Sequence, residues 1–167
     1  MGMKNFSILE AIEVALMMEE EGIRFYALAE NKTRDRAARE LFALLRDKEH
    51  LHVETFRHLY GDLVAREGDP DAELWLLDTE VSSFFRAYVA AAVFPTKGAA
   101  ETAIAGLHDV SEILRFALRL EKDSILFYHE LLAGAPWPEA KALLEKVIAE
   151  ERRHLVFINE KLASLGG

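Results

Sequence analysis

The chain contains no cysteine, so disulfides, thiolate metal sites, a cysteine-ligated iron module and a catalytic thiol are all excluded. Any redox chemistry has to run on oxygen and nitrogen ligands. A basic face is missing as well. Net charge is −9 with a pI near 5.2, and Lys and Arg are scattered among acids, so nothing matches a phosphate backbone and nucleic acid is not an expected partner. Long hydrophobic runs are also absent: the longest, Tyr88 to Phe94, is far below the roughly 20 residues that cross a bilayer. Met1 to Phe6 lack the basic-then-apolar pattern of a secretory signal. Together these absences predict a soluble, cytoplasmic protein with no membrane partner. With 167 residues, 51% of them hydrophobic, the chain is long enough for one domain, 1–167, around one core.

What is present is an internal repeat. Shifted against itself by 102 residues, the chain places Glu19, Glu49 and His52 on Glu121, Glu151 and His154 without a gap. Ser7-Ile8-Leu9-Glu10 falls on Asp109-Val110-Ser111-Glu112, and Ile23, Phe25 and Tyr26 fall on Ile125, Phe127 and Tyr128. Each copy reads as one helical hairpin carrying half of a site.

Periodicity and capping predict four long helices. Ser7 with Glu10, and Asp109 with Glu112, are capping-box candidates opening apolar runs at helical spacing. Ile8, Ile12, Ala15, Glu19, Ile23 and Tyr26 share one stripe, as do Val110, Leu114, Ala117, Glu121, Ile125 and Tyr128. In the second helix of each hairpin the stripes run through Leu45, Glu49, His52 and Phe56, and through Val147, Glu151, His154 and Ile158. The ionisable residues therefore face the core.

Turns fix the pairing. The first helix ends near Asn31 to Asp35, and the third ends in Gly134-Ala135-Pro136-Trp137-Pro138, which cannot continue a helix. Short loops make each pair antiparallel. Arg34 is midway between Glu19 and Glu49, and Pro136 midway between Glu121 and Glu151, so each loop is centred where its two glutamates come level. Hairpin 1 then covers about 7–60 and hairpin 2 about 109–165. The connection 61–108 holds Asp69-Pro70 as a helix start, an apolar helical segment from Thr79 to Phe94, then Pro95 and a Gly/Ala-rich stretch. It is too long for a turn and reads as the crossover of a four-helix bundle.

Four inward carboxylates at one level need compensation. Each buried carboxylate costs several kcal/mol unless it is protonated, paired or metal-bound, and no Lys or Arg lies in these stripes. Two divalent cations would supply the charge. Residues at i and i+3 share a helix side, so Glu-x-x-His can offer a carboxylate and an imidazole to one metal. One such motif is weak, but two, each preceded by a glutamate at 30 residues, are specific.

With those residues in view, the sequence resembles the rubrerythrin-type branch of the ferritin-like di-iron carboxylate proteins, whose ligand pattern is a Glu from each of two helices and Glu-x-x-His from the other two. The strings Glu19 to Tyr26 and Glu121 to Tyr128 are similar to that branch, and the likeness covers both hairpins. It implies an all-α, ferritin-like four-helix bundle. It also implies that Glu49 and Glu151 bridge two iron ions, with Glu19 and His52 completing one and Glu121 and His154 the other. The activity implied is reduction of peroxide, or oxidation of iron with dioxygen or peroxide. Two departures matter. Without cysteine there is no rubredoxin module, so electrons have to come from a separate donor protein. Ser124, with Gly22 as its repeat mate, stands where well-known rubrerythrins carry an additional glutamate that exchanges with a histidine.

Tyr26 and Tyr128, seven residues after a ligand glutamate, are candidates to hydrogen-bond a ligand or an oxygen species. His50, His58, His108 and His129 fall off the stripes and read as surface or packing residues. Glu20 and Glu21 are expected to point away from the site. Manganese and zinc also suit such donors. An iron-handling ferroxidase, or a bundle with a purely structural metal, are the competing readings. Phe84, Phe85, Tyr88 and Phe94 are candidates for an access path, a dimer contact or ordinary core. The apolar segment Phe84 to Phe94 that holds them is one a lone bundle does not obviously bury, which predicts a homodimer, by packing two crossovers or by exchanging a hairpin.

Overall fold

A computed structural model describes residues 8–66, 87–88, 96–135 and 137–166. Five helices run through these residues: α1 (Ile8–Lys32), α2 (Arg36–Ala65), α3 (Ala99–Ala105), α4 (Val110–Gly134) and α5 (Pro138–Ser164). No strand occurs among them. The fold is the all-α four-helix bundle expected from the repeat, of the ferritin-like kind that the resemblance implied. α1 packs chiefly on α2 and α4 on α5, while α1 also meets α4 and α2 meets α5.

Local chemistry sets the ends. Asp35 is extended and its Oδ1 accepts from Ala38 N at 2.7 Å, starting α2 after a three-residue turn, and the same carboxylate meets Lys161 of α5 at 2.8 Å. Asp109 starts α4 as expected, with Oδ1 accepting from Glu112 N at 2.8 Å. Glu112 in turn accepts from His108 N at 2.7 Å, so the first turn is satisfied from both sides. Pro138 occupies the first turn of α5, where its missing N–H costs nothing. Ser7 and Pro136, assigned roles by the sequence, lie outside the described residues.

The core has two apolar layers. One gathers Ile12, Ala15, Phe56, Phe127, Tyr128 and Leu144; the other gathers Phe25, Tyr26, Phe42, Leu45, Leu114 and Ile158. Glu19, Glu49, His52, Glu121, Glu151 and His154, all buried, interrupt the same helix faces that supply both layers.

The crossover supplies the main differences from expectation. The Gly/Ala-rich stretch after Pro95 contains a helix, α3, packed on α1. Gly98 precedes it at φ 85°, a left-handed conformation that favours glycine. Glu21 points away from the cluster as expected, but it is fully buried, and its carboxylate accepts from Gly98 N at 2.9 Å and Ala100 N at 3.0 Å while pairing with Arg24. Tyr88 is buried against Phe127, and its hydroxyl donates to Asp123 O. Positions 21 and 123 are repeat mates, 102 residues apart, so the crossover is tied to equivalent points on the two hairpins. The Asp69-Pro70 start, and all of the apolar segment except 87–88, fall outside the described residues.

Candidate metal centre

Each of the six expected residues projects from the middle of a long helix. Glu19 comes from α1, Glu49 and His52 from α2, Glu121 from α4, and Glu151 and His154 from α5. The structure brings all six together. They form two groups able to hold a metal ion, Glu19–Glu49–His52–Glu151 and Glu49–Glu121–Glu151–His154, with the donor atoms of each within 4.8 Å of one another. Glu49 and Glu151 belong to both groups.

The layout has approximate twofold symmetry. His52 Nδ1 lies 3.0 Å from Glu49, 3.4 Å from Glu19 and 3.2 Å from Glu151. His154 Nδ1 lies 2.9 Å from Glu151, 3.3 Å from Glu121 and 3.5 Å from Glu49. The imidazoles face one another with centroids 5.6 Å apart. Both present Nδ1 to the carboxylates. Among the described residues, no Lys or Arg pairs with any of the four glutamates.

Electrostatics separate the glutamates into two kinds. Burial, reinforced by the neighbouring Glu49 carboxylate, pushes Glu19 up to about 8. Burial and Glu151 drive Glu121 well above the ordinary value. Glu49 and Glu151 feel the same burial and repulsion, yet their close approach to both histidines and to Glu19 or Glu121 outweighs these and leaves them below the usual carboxylate value. Charge is thus favoured on the shared glutamates and disfavoured on the two outer ones. His52 is strongly raised and His154 pushed up to about 12, because contacts with these carboxylates prevail over the opposing effect of burial.

This donor set fits two divalent cations. Four carboxylates carry four negative charges, which two such ions balance with both imidazoles neutral. Glu151 Oε2 is buried without a hydrogen-bond partner although it lies 2.9 Å from His154 Nδ1, so an acceptor is directed into the cluster with its lone pairs free. Oxygen and imidazole donors of this kind suit iron, manganese or zinc.

The tyrosines cross between hairpins. Tyr26 OH donates to Glu121, and Tyr128 OH donates to Glu19, both bonds fully buried. Each outer glutamate is therefore oriented by the other half of the repeat. Burial and the adjacent carboxylates raise both phenols well above their ordinary value, so they remain donors. Gly22 lies beside Glu49, where an added Cβ would come within 3.6 Å of Glu49 Cγ, an ordinary contact. The remaining histidines stay out of the cluster: His50 and His108 are exposed, His58 meets Asp62 at 3.2 Å, and His129 meets Arg152 at 3.1 Å.

Sequence reasoning missed Glu150. Its Oε2 lies 3.1 Å from His52 Nε2, on the far side of the ring from the cluster. A carboxylate oxygen only accepts, so this bond places a proton on Nε2. Glu150 and His52 also line a surface pocket of about 290 Å³ with Glu54, Thr55 and His58. The signal available was its place directly before Glu151, one helical turn before His154, on a helix that packs on α2.

No family model matches the chain, and no curated protein matches it. A solved structure from Thermotoga maritima, provisionally described as a ferritin-like diiron-carboxylate protein, is 24% identical and superposes with a TM-score of 0.72, covering 97% of this chain and 98% of its own. At that identity the likeness establishes the fold. Among the described residues no helix is long and apolar enough to cross a membrane.

Proposed function

We propose that this protein is a non-haem di-iron oxidoreductase of rubrerythrin type that reduces peroxide or dioxygen. The observation that carries the reading is the pair of buried carboxylates, Glu49 and Glu151, common to two four-residue donor groups. Glu49 and Glu151 would be held between two iron ions, with Glu19 and His52 on one and Glu121 and His154 on the other. Bound there, two ferrous ions would together supply the two electrons that peroxide needs. In that net reaction the O–O bond breaks, and two electrons and two protons convert hydrogen peroxide to two waters.

The chain's own residues serve the other requirements. Tyr26 and Tyr128 fix the outer carboxylates and keep hydroxyl protons beside the cluster. Apolar layers above and below exclude bulk water. The pocket at His52 and Glu150 admits a molecule the size of peroxide or dioxygen. With no cysteine for an electron-transfer module of its own, the protein would be reduced by a separate donor protein. We assign it to the cytoplasm and expect a homodimer.

The Tyr88 contact with its own bundle covers part of the apolar crossover, so sedimentation of the purified protein would test the dimer directly. Ser124 and Gly22 leave a ferroxidase that passes iron onward as the second reading. Anaerobic loading with ferrous iron should give two ions per chain, and one equivalent of peroxide should then oxidise both. A stoichiometry near zero would sink the proposal. Oxidation by dioxygen alone, followed by release of ferric iron, would favour the iron-handling role.

A further inference from the structure

We infer that the two metal positions are unequal, and that Glu150 is the positioning residue that makes the His52 position the tighter one. This inference rests on the cluster binding metal as proposed above. The two hairpins supply equivalent donors, and the Nδ1 distances around His52 and His154 agree within 0.3 Å pair by pair. Behind the rings the equivalence ends. His52 Nε2 donates to Glu150 at 3.1 Å, whereas His154 Nε2 is buried with no hydrogen-bond partner.

The repeat explains the difference. Removing 102 from Glu150 gives Lys48, so the position that would back His154 in a symmetric molecule carries an ammonium, which has no acceptor for an Nε2 proton. A metal-ligating imidazole needs its lone pair on the nitrogen facing the ion, and a carboxylate accepting from the other nitrogen fixes that tautomer, orients the ring and raises its basicity. His52 has all three advantages. His154 must hold the same tautomer and ring orientation without them.

The test isolates each position with cobalt(II) as the probe, followed by calorimetry and by the absorption of the bound ion. His154→Ala leaves the His52 position, and His52→Ala leaves the other. The His154→Ala protein should bind its ion about ten- to hundredfold more tightly than the His52→Ala protein, the range typical of losing such a partner. Adding Glu150→Ala should weaken binding by a similar factor in the His154→Ala background and leave the His52→Ala background unchanged. Glu150→Gln, which keeps an acceptor, should restore part of the loss, and metal-free melting temperature should not follow these changes. Lys48→Glu should tighten binding only in the His52→Ala background. Equal affinities at the two isolated positions, or a Glu150→Ala effect of the same size in both, would overturn the inference. Failure of the unmodified protein to take up two ions would instead overturn the functional proposal on which it rests.

Discussion

The first hairpin, α1 with α2, and the second, α4 with α5, place the same three ligand types at the same three positions, yet differ in what surrounds them. In the donors they give the cluster the halves are equivalent, apart from the Glu150 backing of His52: each gives one outer glutamate, one shared glutamate, one histidine and one tyrosine that reaches across to the other half. Away from it they diverge. The first hairpin holds a buried carboxylate, Glu21, that captures the backbone of α3; at the repeat-mate position of the second, the main-chain carbonyl of Asp123 receives Tyr88. The repeat thus accounts for the paired donors, and the departures from it account for how the crossover is held differently by the two hairpins. The symmetric residues are those that need each other across the centre.

The largest effect should come from the shared glutamates, and it should be the same from either half. Glu49→Ala and Glu151→Ala each remove a donor from both groups, so each is expected to bring metal content below one ion per chain and turnover down at least about a hundredfold, near 3 kcal/mol. Elemental analysis beside peroxide consumption measures both. A variant that keeps one full ion would break the symmetry at the centre.

Metal removal comes next. Each ion held a thousandfold above its dissociation constant stabilises the folded chain by about 4 kcal/mol. Chelation should therefore lower the melting temperature, and more at pH 8 than at pH 5.5. Glu19, raised from 4.5 to about 8, contributes stability to the metal-free fold that is full below 4.5 and lost as pH rises through 8. His154, raised from 6.5 to about 12, contributes with the same sign across a higher window. Glu49 and Glu151 are lowered, so their change falls below pH 4.5 and leaves this interval alone. Metal displaces the protons, and calorimetry in buffers of different ionisation enthalpy should record proton release on binding. A metal-free protein equally stable at both pH values would show a cluster wetter than its burial indicates.

The six-residue cluster was legible because a shared metal centre of the kind proposed would require fixed spacing. Glu19, Glu49 and His52 must lie level on two helices, and the repeat printed that rule twice. The helix faces followed from the same periodicity, since a stripe through Ile12, Ala15 and Glu19 can be read without knowing its neighbour. What could not be read were contacts made at long sequence separation by single residues. Glu21 is adjacent to exposed-looking Glu20, and nothing local says that it meets Gly98 and Ala100. Glu150 is one of many surface-type glutamates until α5 is packed on α2. None of the six cluster residues lies in the crossover and the repeat does not extend into it, so the brief helix α3, formed by small residues against α1, left no periodic trace.

Glu21→Ala should expose the difference between the hairpins most directly. It removes the acceptor of two backbone N–H groups, one at the buried Ala100, and should destabilise the chain by about 3 kcal/mol in chemical denaturation. Tyr88→Phe, which takes only one hydroxyl from the second hairpin's Asp123 carbonyl, should cost about 1 kcal/mol. Equal losses would mean that the crossover leans on both halves alike.

The smallest effect, and the sharpest check on symmetry, belongs to the crossed tyrosines. Tyr26→Phe frees an oxygen of Glu121 and Tyr128→Phe an oxygen of Glu19, in sites that are both fully buried. In the metal-free protein burial and the neighbouring carboxylates disfavour charge on these outer glutamates, so each lost bond is closer to a neutral one and should cost about 1 kcal/mol. Once metal binds, the outer glutamates are charged and the same bonds strengthen, because a hydrogen bond to an ionised acceptor is roughly twice as strong. The penalty of either substitution should then rise towards about 2 kcal/mol, and by the same amount in both variants. Denaturation of each protein with and without zinc measures the four values. A rise confined to one tyrosine would show that the ions sit unevenly between the halves, and no rise in either would mean that Glu19 and Glu121 do not take up the charge that metal binding requires of them.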